Sequence, residues 1–307
     1  MASILITGGT GLIGKSLTKA LLMQGYSVII LTRDMGKKKP APGIRYAAWD
    51  VKNQQIDPVA VQEADYIIHL AGAGVVEKKW TDAYKKEIRE SRTESSRLLI
   101  DTLKNNSNRV KTIISMSAIG WYGPDTEPVK PFEETDGPAG GFLGETCRLW
   151  EASMEPAVIL GKRLVKLRTG IVLTENGGAL AEFKKPLHFG IAAVLGNGKQ
   201  VVSWIHIDDL CRMFIHAIEN EEMQGAYNAV APAPVTNKTL TLTLAGIMRG
   251  RSYIPIHVPT FVLKLMLGQR SVEVLKSATV SCRKIQLAGF AFTYDTINKA
   301  LKDLTEK

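Results

Sequence analysis

The sequence predicts an α/β protein built on a doubly wound parallel sheet, with a smaller lobe drawn mostly from its C-terminal part. Three observations carry this. Short β-branched runs alternate with amphipathic segments up to residue 173. The runs are apolar at nearly every position, as in strands covered on both faces. A glycine-rich turn follows the first run and opens the first amphipathic segment.

In chain order, the strand candidates are SILIT (3–7), SVIILT (27–32), IRYAAW (44–49), YIIHLAG (66–72), VKTIISMS (110–117) and VKLRTGIVL (165–173). Helical periodicity occupies Lys15 to Met23, Thr81 to Leu103 and Phe142 to Met154. The last of these carries an apolar stripe of Leu143, Cys147, Trp150 and Met154. Apolar strands joined by helical crossovers make a parallel sheet.

Beyond residue 173 the pattern changes. Residues 174–202 are rich in Gly, Ala and Lys, with turn signals at ENGG and GNGK. VVSWIHIDDLCRMFIHAIEN reads as a strand end running into a helix, and GAYNAVAP as a short strand. From Pro232 a less regular tail holds one apolar segment, PTFVLKLMLGQ, and closes in a helix. The expected division is 1–173 with 203–232 in the main domain, and 174–202 with 233–307 in the smaller lobe.

Hydrophobic residues make up 45% of the chain and charged residues 22%, the balance of a soluble globular protein. The first strand begins at Ser3, which leaves no room for a signal peptide, and no apolar run approaches the roughly 18 residues a membrane helix needs. Cys147, Cys211 and Cys282 are odd in number and far apart. That argues against a disulfide framework or a metal site and fits a reducing cytoplasm. The net charge is +9, with basic clusters at 37–39, 78–79 and 85–86. These read as solvated surface that also favours an anionic cofactor or substrate. Nucleic acid is not an expected partner, because no basic stripe is interleaved with aromatics.

ITGGTGLIGKSL (6–17) is the strongest local signal. Gly8, Gly11 and Gly14 form GxxGxxG, and Gly9, Gly11 and Gly14 form GxGxxG. Such glycines allow the tight strand-to-helix turn, the approach of a pyrophosphate to the backbone, and close helix packing. The backbone of Thr10, Gly11, Leu12 and Ile13 then brings the positive end of the helix to the phosphates. The second strand ends Thr32, Arg33, Asp34, about 19 residues after Gly14, near the spacing at which the ribose 2′ position is read. Arg33 with the Thr32 hydroxyl favours the 2′-phosphate of NADP(H). Asp34 keeps NAD(H) as the alternative.

With these motifs in place, TGGTGLIG, HLAG (69–72), IISMSAIGWYG (113–123) and WIHIDDL (204–210) resemble the extended short-chain dehydrogenase/reductase superfamily, a Rossmann-type fold. WTDAYKKEIRESRTESSRLL (80–99), the FLGETCRLWE segment, LRTGIVLTENGGAL (167–180) and RSVEVLKSATVSCRKIQLAGFAF (270–292) resemble an atypical branch of it. This is the epimerase-like family, which ends in a C-terminal domain of unknown function. The resemblance runs nearly end to end. It implies that Leu70 and Ala71 line the cofactor, that Glu87 and Arg92 contact it, and that Ile171 lies beside the nicotinamide. It also implies that His206 and Asp209 brace the floor of the site, as structural or as catalytic groups.

The same resemblance exposes a departure. Ordinary members use a serine and a YxxxK helix, in which tyrosine transfers the proton and lysine, one turn on, lowers its pKa and holds the ribose. Counting back from Glu151, the lysine position is Cys147 and the tyrosine position is Leu143. Ser117, or Ser115, is the candidate serine and Tyr122 the candidate substitute acid. Cys147 has three readings: a small buried hydrophobe, a reactive thiol beside the nicotinamide, or an unreactive substrate contact. The expected function is an NADP(H)-dependent oxidoreductase or epimerase-like enzyme acting on a small molecule, anionic or a nucleotide sugar. The alternative is a sensor that binds NADP(H) without turnover.

Overall fold

The computed structural model describes residues 1–36 and 41–306, so the basic cluster at 37–39 lies outside the described residues. Strand β1 (Ser3–Thr7) is buried at all five positions, as its unbroken apolar run requires. It lies inside an eight-stranded sheet. On one side of it follow β2 (Ser27–Thr32), β3 (Ile44–Asp50) and the short β4 (Gln55–Ile56). On the other side follow β5 (Tyr66–His69), β6 (Thr112–Ala118), β7 (Arg163–Thr169) and β8 (Gly225–Ala229). Every pairing is parallel except that of β4 with β3. The chain runs outward from β1 through β3, then returns to β5 on the opposite side. The switch point of the topology therefore lies between β1 and β5, where open α/β sheets bind ligands.

Alternate residues of β1 enter different cores. Ile4 and Ile6 join one cluster with α1 (Leu12–Met23), while Leu5 joins another with α2 (Asp82–Asn105). Helix α2 packs on α3 (Phe142–Met154). The start of α2 is fixed by the Thr81 hydroxyl, which accepts from the Tyr84 N–H at 3.2 Å, and by Asp82 in the first turn.

The segment VKLRTGIVL is two strands, not one. It breaks at Gly170, and Ile171–Thr174 leaves the sheet to pair in parallel with Trp204–His206. A Cβ at Gly170 would stand 2.5 Å from the Ser203 carbonyl oxygen and 2.8 Å from Val230 Cγ1, so the crossing needs a residue without one. Of residues 203–232, only β8 joins the main sheet. YIIHLAG likewise leaves the strand after His69. Residues 174–202, where only turns were legible, include the helix α4 (Gly178–Leu187). Ile191–Leu195 pairs in parallel with Ile254–Val258.

His206 serves as the N-cap of α5 (Ile207–Glu219), accepting from the Asp208 N–H at 3.1 Å. The Asp209 carboxylate accepts from the N–H groups of Thr293 and Tyr294 at 3.0 and 2.8 Å. Both residues hold elements together. Residues 270–280 cross the C-terminal edge of the sheet as a strap. Arg270 donates to the Val76 carbonyl at 2.6 Å. Ser277 and the Thr279 N–H bond the Asp125 carboxylate at 2.8 and 2.7 Å. Among the described residues no helix is long and apolar enough to cross a membrane.

Candidate functional site

Helix α1 begins without a side-chain cap. Gly11 stands at the N-cap, and no acidic residue occupies the first turn. The orphan N–H groups of such a start attract an anion. The loop before it is drawn tight by the Gly11 N–H, which donates to the Gly8 carbonyl at 3.0 Å. A Cβ at Gly14 would stand 2.6 Å from Gly9 Cα and closer still to the Gly8 carbonyl oxygen. The loop and the helix start are thus in close backbone contact, with no room for a side chain at Gly14.

The opposite wall is the turn at Leu70 and Ala71, fixed by a chain of hydrogen bonds. Their N–H groups donate to Thr7 Oγ1 at 3.0 and 3.1 Å. That hydroxyl is then left to donate to His69 Nδ1 at 2.8 Å, which puts the imidazole proton on Nε2, 3.2 Å from Ser96 Oγ. His69 is fully buried, and burial, with the Arg92 charge adding to it, lowers its pKa to about 3. The imidazole is therefore neutral when folded, while the unfolded chain takes up a proton as pH falls below about 6.5. Stability contributed by neutral His69 is present above that pH and declines on acidification. The loss between pH 7 and 5 is expected to be roughly 2 kcal/mol. Urea denaturation of the wild type and His69→Asn at the two pH values would measure it, with the variant lacking this part of the slope.

Beyond the turn, Gly72 meets the Arg92 guanidinium. Arg92 is 8% exposed, bonds the carbonyls of Ile88 and Ala73 through Nη1 at 2.8 and 3.1 Å, and stacks 4.8 Å from the Trp150 ring. Burial draws its pKa below the usual guanidinium range. Next to it, Cys147 packs against Gly120 beside Leu143 and is 4% exposed. Burial pushes the thiol up to about 12, outweighing the pull of Arg92. The stripe of α3 is thus a core stripe, and the reactive-thiol reading loses its chemical basis. Cys211 and Cys282 are also buried, and burial raises both thiols. All three cysteines are expected to resist iodoacetamide at neutral pH until the chain unfolds. Mass spectrometry of folded and urea-treated protein checks this.

Ser117 and Tyr122 are both 1% exposed and belong to a closed buried network, not to an open site. Ser117 Oγ donates to Glu151 Oε1 at 2.7 Å. Arg168 grips Glu151 through Nε and Nη2 at 2.8 and 3.1 Å and donates from Nη1 to the Tyr122 hydroxyl at 3.0 Å. That hydroxyl donates to Asn228 Oδ1 at 2.7 Å, and burial raises its pKa to about 12. Ser115 is buried as well and donates to the Met116 carbonyl. Both hydroxyls expected to transfer a proton are thus buried and engaged by protein partners. Glu151, Arg168 and Asn228 were not among the expected site residues. The signal that could have found them is the presence of charged or amide side chains within apolar strand and helix runs.

Of the remaining expected contacts, Thr32 is buried, and Arg33 is exposed at the end of β2, beside β1. Thr10 is exposed, while Leu12 and Ile13 are partly buried; Leu12 reaches toward Gly177 and Gly178. Ile171 is 40% exposed at the start of its strand. Glu87 is half-exposed on α2, and its carboxylate pairs with Lys78 at 3.5 Å.

An open parallel sheet with a glycine cradle at its switch point defines a nucleotide-binding fold of the extended short-chain dehydrogenase/reductase type. The pattern of the NAD dependent epimerase/dehydratase family matches residues 4–141, and a domain of unknown function, DUF1731, matches residues 258–304. An epimerase family protein of Staphylococcus saprophyticus is 37% identical over 314 residues, covering 99% of both chains. The chain belongs to this epimerase family, an atypical branch of the extended dehydrogenase/reductases. Human epimerase family protein SDR39U1, solved with NADPH, superposes with a TM-score of 0.86 at 27% identity over 99% of both chains. A nucleoside-diphosphate sugar epimerase from Corynebacterium glutamicum superposes at 0.78 with 31% identity, over all of this chain and 59% of the other.

Proposed function

We propose that the chain binds NADP(H) across the C-terminal edge of the sheet and acts as an oxidoreductase or epimerase-like enzyme without the usual tyrosine–lysine pair. The observation that carries this reading is the uncapped start of α1, packed so closely on the Gly8–Gly9 backbone that Gly14 leaves no room for a side chain. The loop from Gly8 to Gly14 would hold the pyrophosphate, Leu70 and Ala71 the adjoining ribose, and Thr32 with Arg33 the 2′-phosphate. Asp34 beside them keeps NAD(H) as the alternative. The NADPH of the human relative and the NAD named for UDP-glucuronic acid 4-epimerase from Bacillus cereus support a nicotinamide dinucleotide. When bound, that group supplies a hydride, a transfer that depends chiefly on proximity and orientation. The substrate is a small molecule, anionic or a nucleotide sugar, lodged between the sheet edge and the smaller lobe. Titration with NADPH and NADH tests the cofactor, and equal affinity for the two would remove the role of Arg33.

A second reading is a sensor that binds NADP(H) without turnover. Leu143 at the proton donor's position, with Ser117 and Tyr122 bonded away, favours it. Following NADPH absorbance across a panel of carbonyl compounds and nucleotide sugars separates the two. Tight binding with no oxidation anywhere in the panel would speak for the sensor.

A further inference from the structure

Most residues of the helix Thr260–Leu267 (TFVLKLML) are large and apolar, yet Leu263 alone among them is buried. A helix as hydrophobic as this belongs in a core or an interface. Phe261 and Leu265 stand four residues apart and so share a face, which is open to solvent with Met266 beside it. The strand before the helix, Ile254–Val258, is joined to it by Pro259 alone. Among the described residues this strand pairs only with Ile191–Leu195. Its ladder includes bonds from the Ile254 N–H to the Gly190 carbonyl and from the Gly196 N–H to the Val258 carbonyl, at 2.8 and 2.9 Å. Backbone groups alternate sides along a strand, so Pro255 and His257 stand at the open edge. Proline has no N–H to give there, which blunts the edge against a further strand. What is left for a partner is side chain. Ile254 and Ile256 share one face of the strand, and Phe189 adjoins them next to Gly190.

These six side chains are between 45% and 84% exposed. At roughly 100–150 Å² each they offer about 600–800 Å², at or above the largest apolar patch of a usual monomer and near what each partner gives a standard interface. Charge is sparse in the same stretch. Residues 254–269 hold one Asp, Glu, Lys or Arg, Lys264, in a chain where such residues make up 22%. Depletion of charge together with aromatic residues and methionine marks the middle of a protein interface. A helix lying on lipid carries a basic face instead, and eight residues are too few to cross a bilayer.

We propose that this face is the contact between two copies of the chain, set about a twofold axis. Such a contact lays the same patch against itself, and an apolar surface almost free of charge meets that demand without an opposite charge elsewhere. The proposal is independent of the dinucleotide reading. It gives a task to the start of the segment matched by DUF1731, residues 258–304.

Sedimentation velocity of wild type, of Phe261→Glu with Leu265→Glu, and of Ile159→Glu tests it. Wild type is expected to sediment at twice the 33.6 kDa of one chain. The double substitution is at exposed positions, so the far-UV circular dichroism should not change. It should weaken the dimer by at least about 100-fold, because the contact would then bury carboxylates from both copies. Ile159, just before β7, is 87% exposed, and Ile159→Glu should leave the dimer intact. Hydrogen exchange of the wild type needs no variant: amides of 254–269 should exchange more slowly at high than at low protein concentration, while those of 156–160 should not. A monomeric wild type overturns the proposal, and binding of that monomer to phosphatidylserine vesicles would assign the helix to lipid instead. A dimer that survives the double substitution overturns it as well. So does one that Ile159→Glu dissociates, or exchange at 254–269 that ignores concentration.

Discussion

Replacing Gly14 with alanine is expected to abolish dinucleotide binding and to lower the melting temperature, although alanine is the better helix former. Inside a helix, propensity alone would favour alanine by about 1 kcal/mol. At Gly14 the new Cβ would stand 2.6 and 2.7 Å from Gly9 Cα and C, with the Gly8 carbonyl oxygen nearer still. All of these are backbone atoms, so no side chain can rotate away. Relief requires the loop to move off the helix start, at a cost of roughly 1–3 kcal/mol or more, and that movement dismantles the cradle. Gly246, in the helix Asn237–Arg249, is the control, because a Cβ there meets nothing within 4 Å. Gly246→Ala is expected to stabilise by roughly 0.5–1 kcal/mol. Thermal melts and NADPH titrations of the two variants give opposite signs if the clash is real.

Arg168→Met is expected to cost about 3–5 kcal/mol, because it strands the buried Glu151 carboxylate. Glu151 is 5% exposed and takes bonds from Arg168 and Ser117. Lys166, 3.6 Å away, offsets only part of the loss. Combining Arg168→Met with Glu151→Leu removes both buried charges. The double variant should therefore be less destabilised than the sum of the two single ones. Denaturant titration of the three variants closes the cycle. An additive result would mean that the pair is not coupled. An exposed pair such as Lys86 with Glu90, 3.7 Å apart, should give nearly nothing in the same cycle.

Much of the fold was legible because it depends on local pattern. SILIT and SVIILT are strands with the bounds read from sequence, and the helix Phe142–Met154 matches its stripe at both ends. The phosphate loop was legible for the same reason, since its glycines act on their immediate neighbours. The break at Gly170 was not, because the atoms that impose it belong to Ser203 and Val230. Helix α4 was hidden by its glycine-rich start. Site chemistry depends still more on distant partners. Ser117 and Tyr122 looked available because nothing local announces that Glu151, Arg168 and Asn228 engage their hydroxyls. Arg92 could be picked out through the resemblance, but its bonds to the Ile88 and Ala73 carbonyls are visible only in three dimensions.

The strap formed by residues 270–280 has a consequence for biosynthesis. Its bonds to Val76 and Asp125 join positions 194 and 152 residues apart. The strands through β7 can pair before the strap has left the ribosome, so the sheet forms with its upper edge uncovered. Contacts of such long separation form late and slowly. Once in place the strap is bonded to Val201, Ser203 and Phe132 as well as to Asp125, and buries Ala278 and Val280, so it closes as the last firmly held layer of the fold.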